Sequence, residues 1–247
     1  MRSYAIGDIH GHRDKLAALH GLIDSDRALC GDSDAPVVHI GDLVDRGPDS
    51  RGVIDYLLAG QENGAPWVML KGNHDRMMQG FLDDPDYHDK GLRTDLHWLD
   101  PRLGGAETLA SYGVTGAGER LLFDVFDEAQ AKVPAAHRRF LNRLPAYYLR
   151  GTCLFVHAGV RPGVDLHDQT ADDLLWIRKG FLEDGRDHGV LVVHGHTPVD
   201  AVTHHGNRLN IDTGAGYGKA MSAVVIEGRD VWQLTPKGRI AVRPETG

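Results

Sequence analysis

Basic charge is scarce in this sequence, and so are cysteine and long apolar runs. Only 27 Lys and Arg stand against 35 Asp and Glu, a formal charge of −8. That balance argues against a general affinity for nucleic acid or for anionic lipid, since both require a basic surface. Cys30 and Cys153 are the only cysteines, so one bridge at most can form and no disulfide framework holds the fold. Cys153 lies in the apolar run Thr-Cys-Leu-Phe-Val, the setting of a buried reduced thiol. No stretch is long enough to span a bilayer, and the opening residues MRSYAIGD carry no apolar signal core. The expectation is a cytoplasmic protein. Repeats, low-complexity blocks and Pro/Ser-rich linkers are missing too, so a single domain over residues 1–247 is the simplest organisation.

What is abundant is histidine, with 15 residues whose positions matter more than their number. Five short apolar runs each end in a polar cluster. Ser-Tyr-Ala-Ile leads into Gly7-Asp8-Ile9-His10, and Pro-Val-Val-His-Ile into Gly41-Asp42. Pro-Trp-Val-Met-Leu-Lys leads into Gly72-Asn73-His74-Asp75, Thr-Cys-Leu-Phe-Val into His157, and Val-Leu-Val-Val into His194-Gly195-His196. Runs of this length, rich in β-branched residues and bounded by Gly or Pro, predict buried strands. Two amphipathic stretches separate the first three. Asp14 to Ile23 gathers Leu16, Leu19, Leu22 and Ile23 on one helical face, and Asp49 to Leu58 gathers Val53, Ile54, Leu57 and Leu58 behind Pro48. The order β-α-β-α-β predicts parallel pairing through right-handed crossovers.

The stretch from about residue 76 to 148 reads differently. It is mainly helical, with His137 to Leu144 amphipathic and Gly104-Gly105 as a break, and looks like an insert. Past Asn207 the strand-like segments RLNIDT, AMSAVVIE and DVWQL predict a second, largely antiparallel sheet. The fold class is therefore α/β, a sandwich of two sheets flanked by helices.

Catalytic groups in open α/β sheets collect beyond the carboxyl ends of strands. Here those ends offer Asp8, His10, Asp42, Asn73, His157 and His196: two carboxylates, three imidazoles and one amide. Such a mixture suits a borderline divalent ion, Mn²⁺, Fe²⁺ or Zn²⁺, better than Ca²⁺.

The motifs GDIHG, GDLVDRG, GNHD, HAG and HGHT, in this order, resemble the signature set of the phosphoprotein phosphatases, within the calcineurin-like metallophosphoesterases. They span Gly7 to Thr197. The modest length and the phrases LLWIRKGFL and HGHTP resemble the bacterial and phage branch. The resemblance implies a calcineurin-like sandwich of two mixed sheets and two divalent ions, Mn²⁺ first, with Fe or Zn as alternatives. It assigns Asp8, His10 and Asp42 to one ion, and Asp42, Asn73, His157 and His196 to the other. An anionic bridge such as Asp42 lowers the repulsion of two dications about 3.5–4 Å apart.

The resemblance also implies that Arg46 and Arg178 bind the phosphate, His74 protonates the leaving oxygen, and Asp45 orients His74. A planar guanidinium matches two phosphate oxygens at once. His194 is expected to support the structure and not to ligate. Asp75 stands where many protein phosphatases of this family carry Glu. The implied activity is hydrolysis of phosphate monoesters by a hydroxide bridging the two ions. No covalent phosphoenzyme is expected, because the chain has no CxxxxxR loop. A Ser/Thr protein phosphatase, with Tyr also possible as target, is the first expectation. A hydrolase of dinucleoside polyphosphates or other small phosphoesters is the alternative, and a catalytically dead binding protein is the non-enzyme alternative.

Overall fold

The computed structural model describes residues 1–245. In chain order the strands are β1 (Arg2–Ile6), β2 (Val37–His39), β3 (Trp67–Met69), β4 (Tyr147–Arg150), β5 (Cys153–Val156), β6 (Leu191–His194), β7 (Thr203–His204), β8 (Arg208–Asn210), β9 (Ala223–Glu227), β10 (Asp230–Thr235) and β11 (Gly238–Val242). The helices are α1 (Arg13–Cys30), α2 (Ser50–Glu62), α3 (Asn73–Asp83), α4 (Gly105–Ser111), α5 (Leu122–Lys132), α6 (Ala135–Arg143) and α7 (Ala171–Trp176).

Two mixed sheets face each other. The first runs β11-β10-β9-β1-β2-β3 and the second β4-β5-β6-β8-β7. Ala5, Val38, Phe155, Val193, Leu209 and Val224 meet between them. Alternate residues of the same strands turn outward. Tyr4, Ile6 and Val37 pack with Leu16, Ile23, Val53 and Ile54 of α1 and α2. Leu154, Val156 and Val192 pack with Leu174 and Phe181 on the other outer face. Burial on both faces is why these strands read as continuous apolar runs without alternation.

β1, β2 and β3 are parallel, as predicted. The prediction for the last strands is corrected. β8 joins the second sheet, parallel to β6, while β9 lies antiparallel against β1 from Arg2↔Glu227 to Ile6↔Ala223 in the first sheet. The physical reason is the free edge of β1. Its backbone groups are buried and need a ladder partner, which the fully apolar Ala223–Ile226 supplies. Arg2 Nε donates to Glu227 Oε1 at 2.8 Å, marking the register.

In each sheet the parallel strands, β1-β2-β3 and β5-β6-β8, send their following loops to one shared region. His157, after β5, lies 2.9 Å from Asn73, after β3. The amide of His196, after β6, donates to Asp8, after β1, at 3.2 Å. Between α3 and β4 the chain forms α4, α5 and α6, which close over α2 and α3.

Candidate active site

The non-glycine residues with positive φ among the described residues are His10, Asp42, Asp45, Arg46 and His196, at 46° to 73°. All belong to the strand-end motifs. Backbone held in this sparsely populated region costs roughly 1–3 kcal/mol per residue and persists only where surrounding structure enforces it. Close approach enforces it here. A Cβ on Gly195 would sit 2.1 Å from Asp8 Oδ1, and one on Gly104 2.1 Å from the Arg46 nitrogen. The Gly104-Gly105 break thus starts α4 and lets the helical segment lie directly on the Arg46 loop.

Asp42 sits between two groups of donors. With His10 and His74 it forms one set of atoms that could hold an ion, and with His157 and His196 another. All five residues are buried. Asp42 Oδ2 is 3.4 Å from His10 Nε2, and Oδ1 is 3.3 Å from His157 Nε2. The first turn of α3 also aims at it, because the His74 amide donates to Asp42 Oδ1 at 3.0 Å. Asp75 braces this corner: its oxygens accept the amides of Leu43 at 2.9 Å and Gly72 at 2.8 Å.

Hydrogen bonds assign the tautomers. His10 Nδ1 lies 3.0 Å from the Val44 carbonyl, and His157 Nδ1 lies 3.0 Å from the Ile40 carbonyl. Both Nδ1 atoms must donate, so each Nε2 presents a lone pair toward Asp42. Burial pushes both imidazoles below their usual range, which keeps them neutral. His157 Nε2 then faces two further acceptors, Asp42 Oδ1 and, at 2.9 Å, Asn73 Oδ1. His196 Nδ1 is also 2.9 Å from Asn73 Oδ1, and its Nε2 is buried without a partner. Lone pairs crowded in this way repel one another, and a cation among them turns the repulsion into coordination. The donor set fits a divalent ion.

Asp8 lies at the edge of this cluster. It accepts the His196 amide and has the Asp212 carboxyl as a close neighbour. Burial and the neighbouring Asp212 and Asp42 push its carboxyl well above the usual range. Burial and Asp42 push Asp212 up to about 6. Asp212 was missed in the sequence, although it follows the strand Arg208–Asn210 just as the other acids follow theirs.

Arg46 crosses the cluster. One nitrogen of its fork lies 2.8 Å from His10 Nε2 and the other 3.1 Å from His74 Nε2, while the guanidinium stacks 4.6 Å from the Tyr217 ring centroid. His74 Nδ1 lies 2.6 Å from Asp45 Oδ2. Arg178 is exposed and touches the His196 carbonyl at 3.4 Å. A cavity of about 210 Å³ opens here, lined by Asp42, Arg46, His74 and Arg178 and walled by Trp176 and Tyr217. His194 is not part of it. Its ring meets Phe181 edge-on at 5.0 Å.

The sequence profile of calcineurin-like phosphoesterases matches residues 1–225. The chain belongs to that family. A relative from Anoxybacillus flavithermus, the bis(5'-nucleosyl)-tetraphosphatase PrpE [asymmetrical], is 25% identical over 89% of this chain and 88% of its own length. Among solved structures, a putative diadenosine tetraphosphatase superposes with a TM-score of 0.60 at 22% identity, covering 100% of this chain and 95% of its own. A cold-active protein-tyrosine phosphatase of a psychrophilic Shewanella gives 0.61 at 16%, covering 98% and 80%. At those identities the two structures speak for the metallophosphoesterase fold alone. Among the described residues no helix is long and apolar enough to cross a membrane.

Proposed function

We propose that this chain is a metal-dependent hydrolase of phosphoesters whose preferred substrates are dinucleoside polyphosphates. The observation that carries hydrolysis is Asp42, shared between two donor groups beneath a pair of arginines. Asp8, His10 and Asp42 would hold one divalent ion, Mn²⁺ first, and Asp42, Asn73, His157 and His196 the other. Bound there, the ions would neutralise phosphoryl oxygens and lower the pKa of the attacking water.

The remaining work falls to side chains. Arg46 and Arg178 take the phosphoryl oxygens and hold phosphorus in line for attack. With Arg46 drawn from His74 Nε2 onto the phosphate, that nitrogen is free to carry a proton and gives it to the departing oxygen as the bond from phosphorus breaks. Asp45 fixes the ring in that orientation through Nδ1.

Two aromatic walls, Trp176 and Tyr217, beside the arginines suit a base attached to a short phosphate chain. The relative of nearly full length is named for a substrate of that kind. The second reading, a phosphoprotein phosphatase, is favoured by the His74–Asp45 pair. Serine leaves phosphorus as a basic alkoxide and needs a proton, whereas a nucleotide leaves as a less basic phosphate.

A panel of dinucleoside tetraphosphates and phosphoserine peptides on the Mn²⁺-loaded chain, compared by kcat/KM, separates the readings. We expect the dinucleotides to lead by at least about tenfold, the worth of one stacked base. Peptides leading by that margin would establish the second reading instead.

A further inference from the structure

We propose that Trp98 and Thr108, both from the segment between α3 and β4, are positioning residues that clamp Asp45 so that it presents His74 to the leaving group. The inference rests on the assignment of His74 as proton donor. Asp45 is wholly buried at a φ of 73°. Its Oδ1 accepts the Thr108 hydroxyl at 2.7 Å, and its Oδ2 accepts the Trp98 indole N–H at 2.9 Å beside His74 Nδ1. The Asp45 amide donates back to Thr108 Oγ1 at 2.8 Å and to Ser50 Oγ at 3.1 Å.

The hydrogens around this knot add up. A threonine hydroxyl has one proton and two lone pairs. The proton of Thr108 goes to Asp45 Oδ1, so its lone pairs take the Asp45 amide and the Ser50 hydroxyl, which lies 2.9 Å away. Ser50 in turn accepts from the Asp45 amide. Both carboxylate oxygens are thereby tied and the carboxylate plane is fixed.

The chemistry of the donors matters as much as their number. Among the described residues, the only ion-pair partner of Asp45 is His74. The other donors, an indole and a hydroxyl, are neutral, so they satisfy a buried carboxylate without cancelling its charge. An arginine in their place would bind the carboxylate bidentately and compete with the imidazole. Trp98 is itself fixed, buried against Phe81 with ring centroids 5.0 Å apart, and a Cβ on Gly105 would fall 2.7 Å from its ring. The helical segment therefore reaches the catalytic pair from behind and not only from the cavity side.

The test compares an alkyl phosphate with 4-nitrophenyl phosphate, whose phenoxide hardly needs a proton. Thr108→Val and Trp98→Phe remove one donor each while keeping much of the volume. Each should lower kcat/KM for the alkyl ester about tenfold or more, within the roughly 10²–10⁴-fold of full general acid catalysis, and leave the aryl ester within about threefold. Thr108→Ser keeps the hydroxyl and should restore both. His74→Asn serves as the reference. If it shows no such selectivity, the proton-donor assignment fails and the proposal with it. If it is selective while Thr108→Val and Trp98→Phe damage both esters equally or neither, the clamp alone is overturned. The His74 Nδ1 proton gives a second readout by NMR, identified by its loss in His74→Asn. It should shift in Thr108→Val and stay in place in Thr108→Ser. Should Thr108→Val not fold, Trp98→Phe carries the same two readouts, and an unmoved resonance there overturns the clamp.

Discussion

Asp45 and His74 meet through Oδ2 and Nδ1 at 2.6 Å, and this contact directs His74 Nε2 to the side where Asp42 and Arg46 lie. The carboxylate holds one nitrogen, so the other is the one that can reach a substrate. A buried pair with this geometry has an experimental signature.

Leaving groups of different basicity should sort the His74→Asn variant. An alkyl phosphate departs as a strong base, whereas a nitrophenyl phosphate and a nucleotide both depart as weak ones. We expect losses in that order of need, greatest for the alkyl ester, at constant metal content. Full general acid catalysis is worth roughly 10²–10⁴-fold. Equal losses on all three, with chemistry rate-limiting, would remove His74 from the role.

Arg46→Ala should lower kcat/KM by on the order of 2–4 kcal/mol, the cost of one charge-assisted contact to the transferring group. Metal content should not change, since Arg46 supplies no ligand atom. Arg178→Ala should act in the same direction and more weakly, because Arg178 is exposed and held by a single contact to the His196 carbonyl. Wild-type kinetics in Arg46→Ala would contradict the assignment.

How much of this was legible beforehand follows from the kind of signal each part carries. β1, β2, β5 and β6 announced themselves as apolar runs because both faces are buried, β3 did so although it is half-buried at a sheet edge, and their terminal acids and imidazoles came with them. The pairing of β9 was not legible. An apolar segment states that it wants a ladder, not which edge it will join. Trp98 and Thr108 were invisible for a related reason. They act on Asp45 from positions 53 and 63 residues away along the chain, in a region that carries no motif. Asp212 carried the same strand-end signal as Asp42 and could have been found by it.

The two aromatic walls distinguish the substrate readings. Trp176→Ala and Tyr217→Ala should each raise KM for a dinucleoside tetraphosphate by about 1–3 kcal/mol equivalent, the range for stacking one base. Their effect on 4-nitrophenyl phosphate should be much smaller. Parallel changes on both compounds would mean that neither ring meets a base.

Acid should destabilise the fold through a buried histidine pair outside the donor set around Asp42. His20 Nε2 and His39 Nε2 lie 3.0 Å apart beside Trp67, and His39 Nδ1 lies 3.3 Å from the Val68 carbonyl. Burial lowers His39 to about 4 and His20 to about 2. An unfolded imidazole titrates near 6.5. Their contribution is fully present above that pH. Below it the unfolded chain binds protons that the folded chain refuses, so stability falls with acid until the folded values are reached. For His39 the window runs from about 6.5 to about 4 and amounts to on the order of 3 kcal/mol. His39→Gln should make the slope of unfolding free energy against pH shallower by about one proton in that window. Identical slopes for the variant and the wild type would refute this.

The most direct test of the whole reading is metal stoichiometry by elemental analysis of the active, metal-replete protein, set beside Asp42→Asn. If Asp42 is the anion shared by two ions, the wild type holds two divalent ions per chain, chelators abolish its activity, and the variant loses affinity at both positions. An active wild-type sample with at most one tightly held ion, or an Asp42→Asn variant that keeps two, would contradict it.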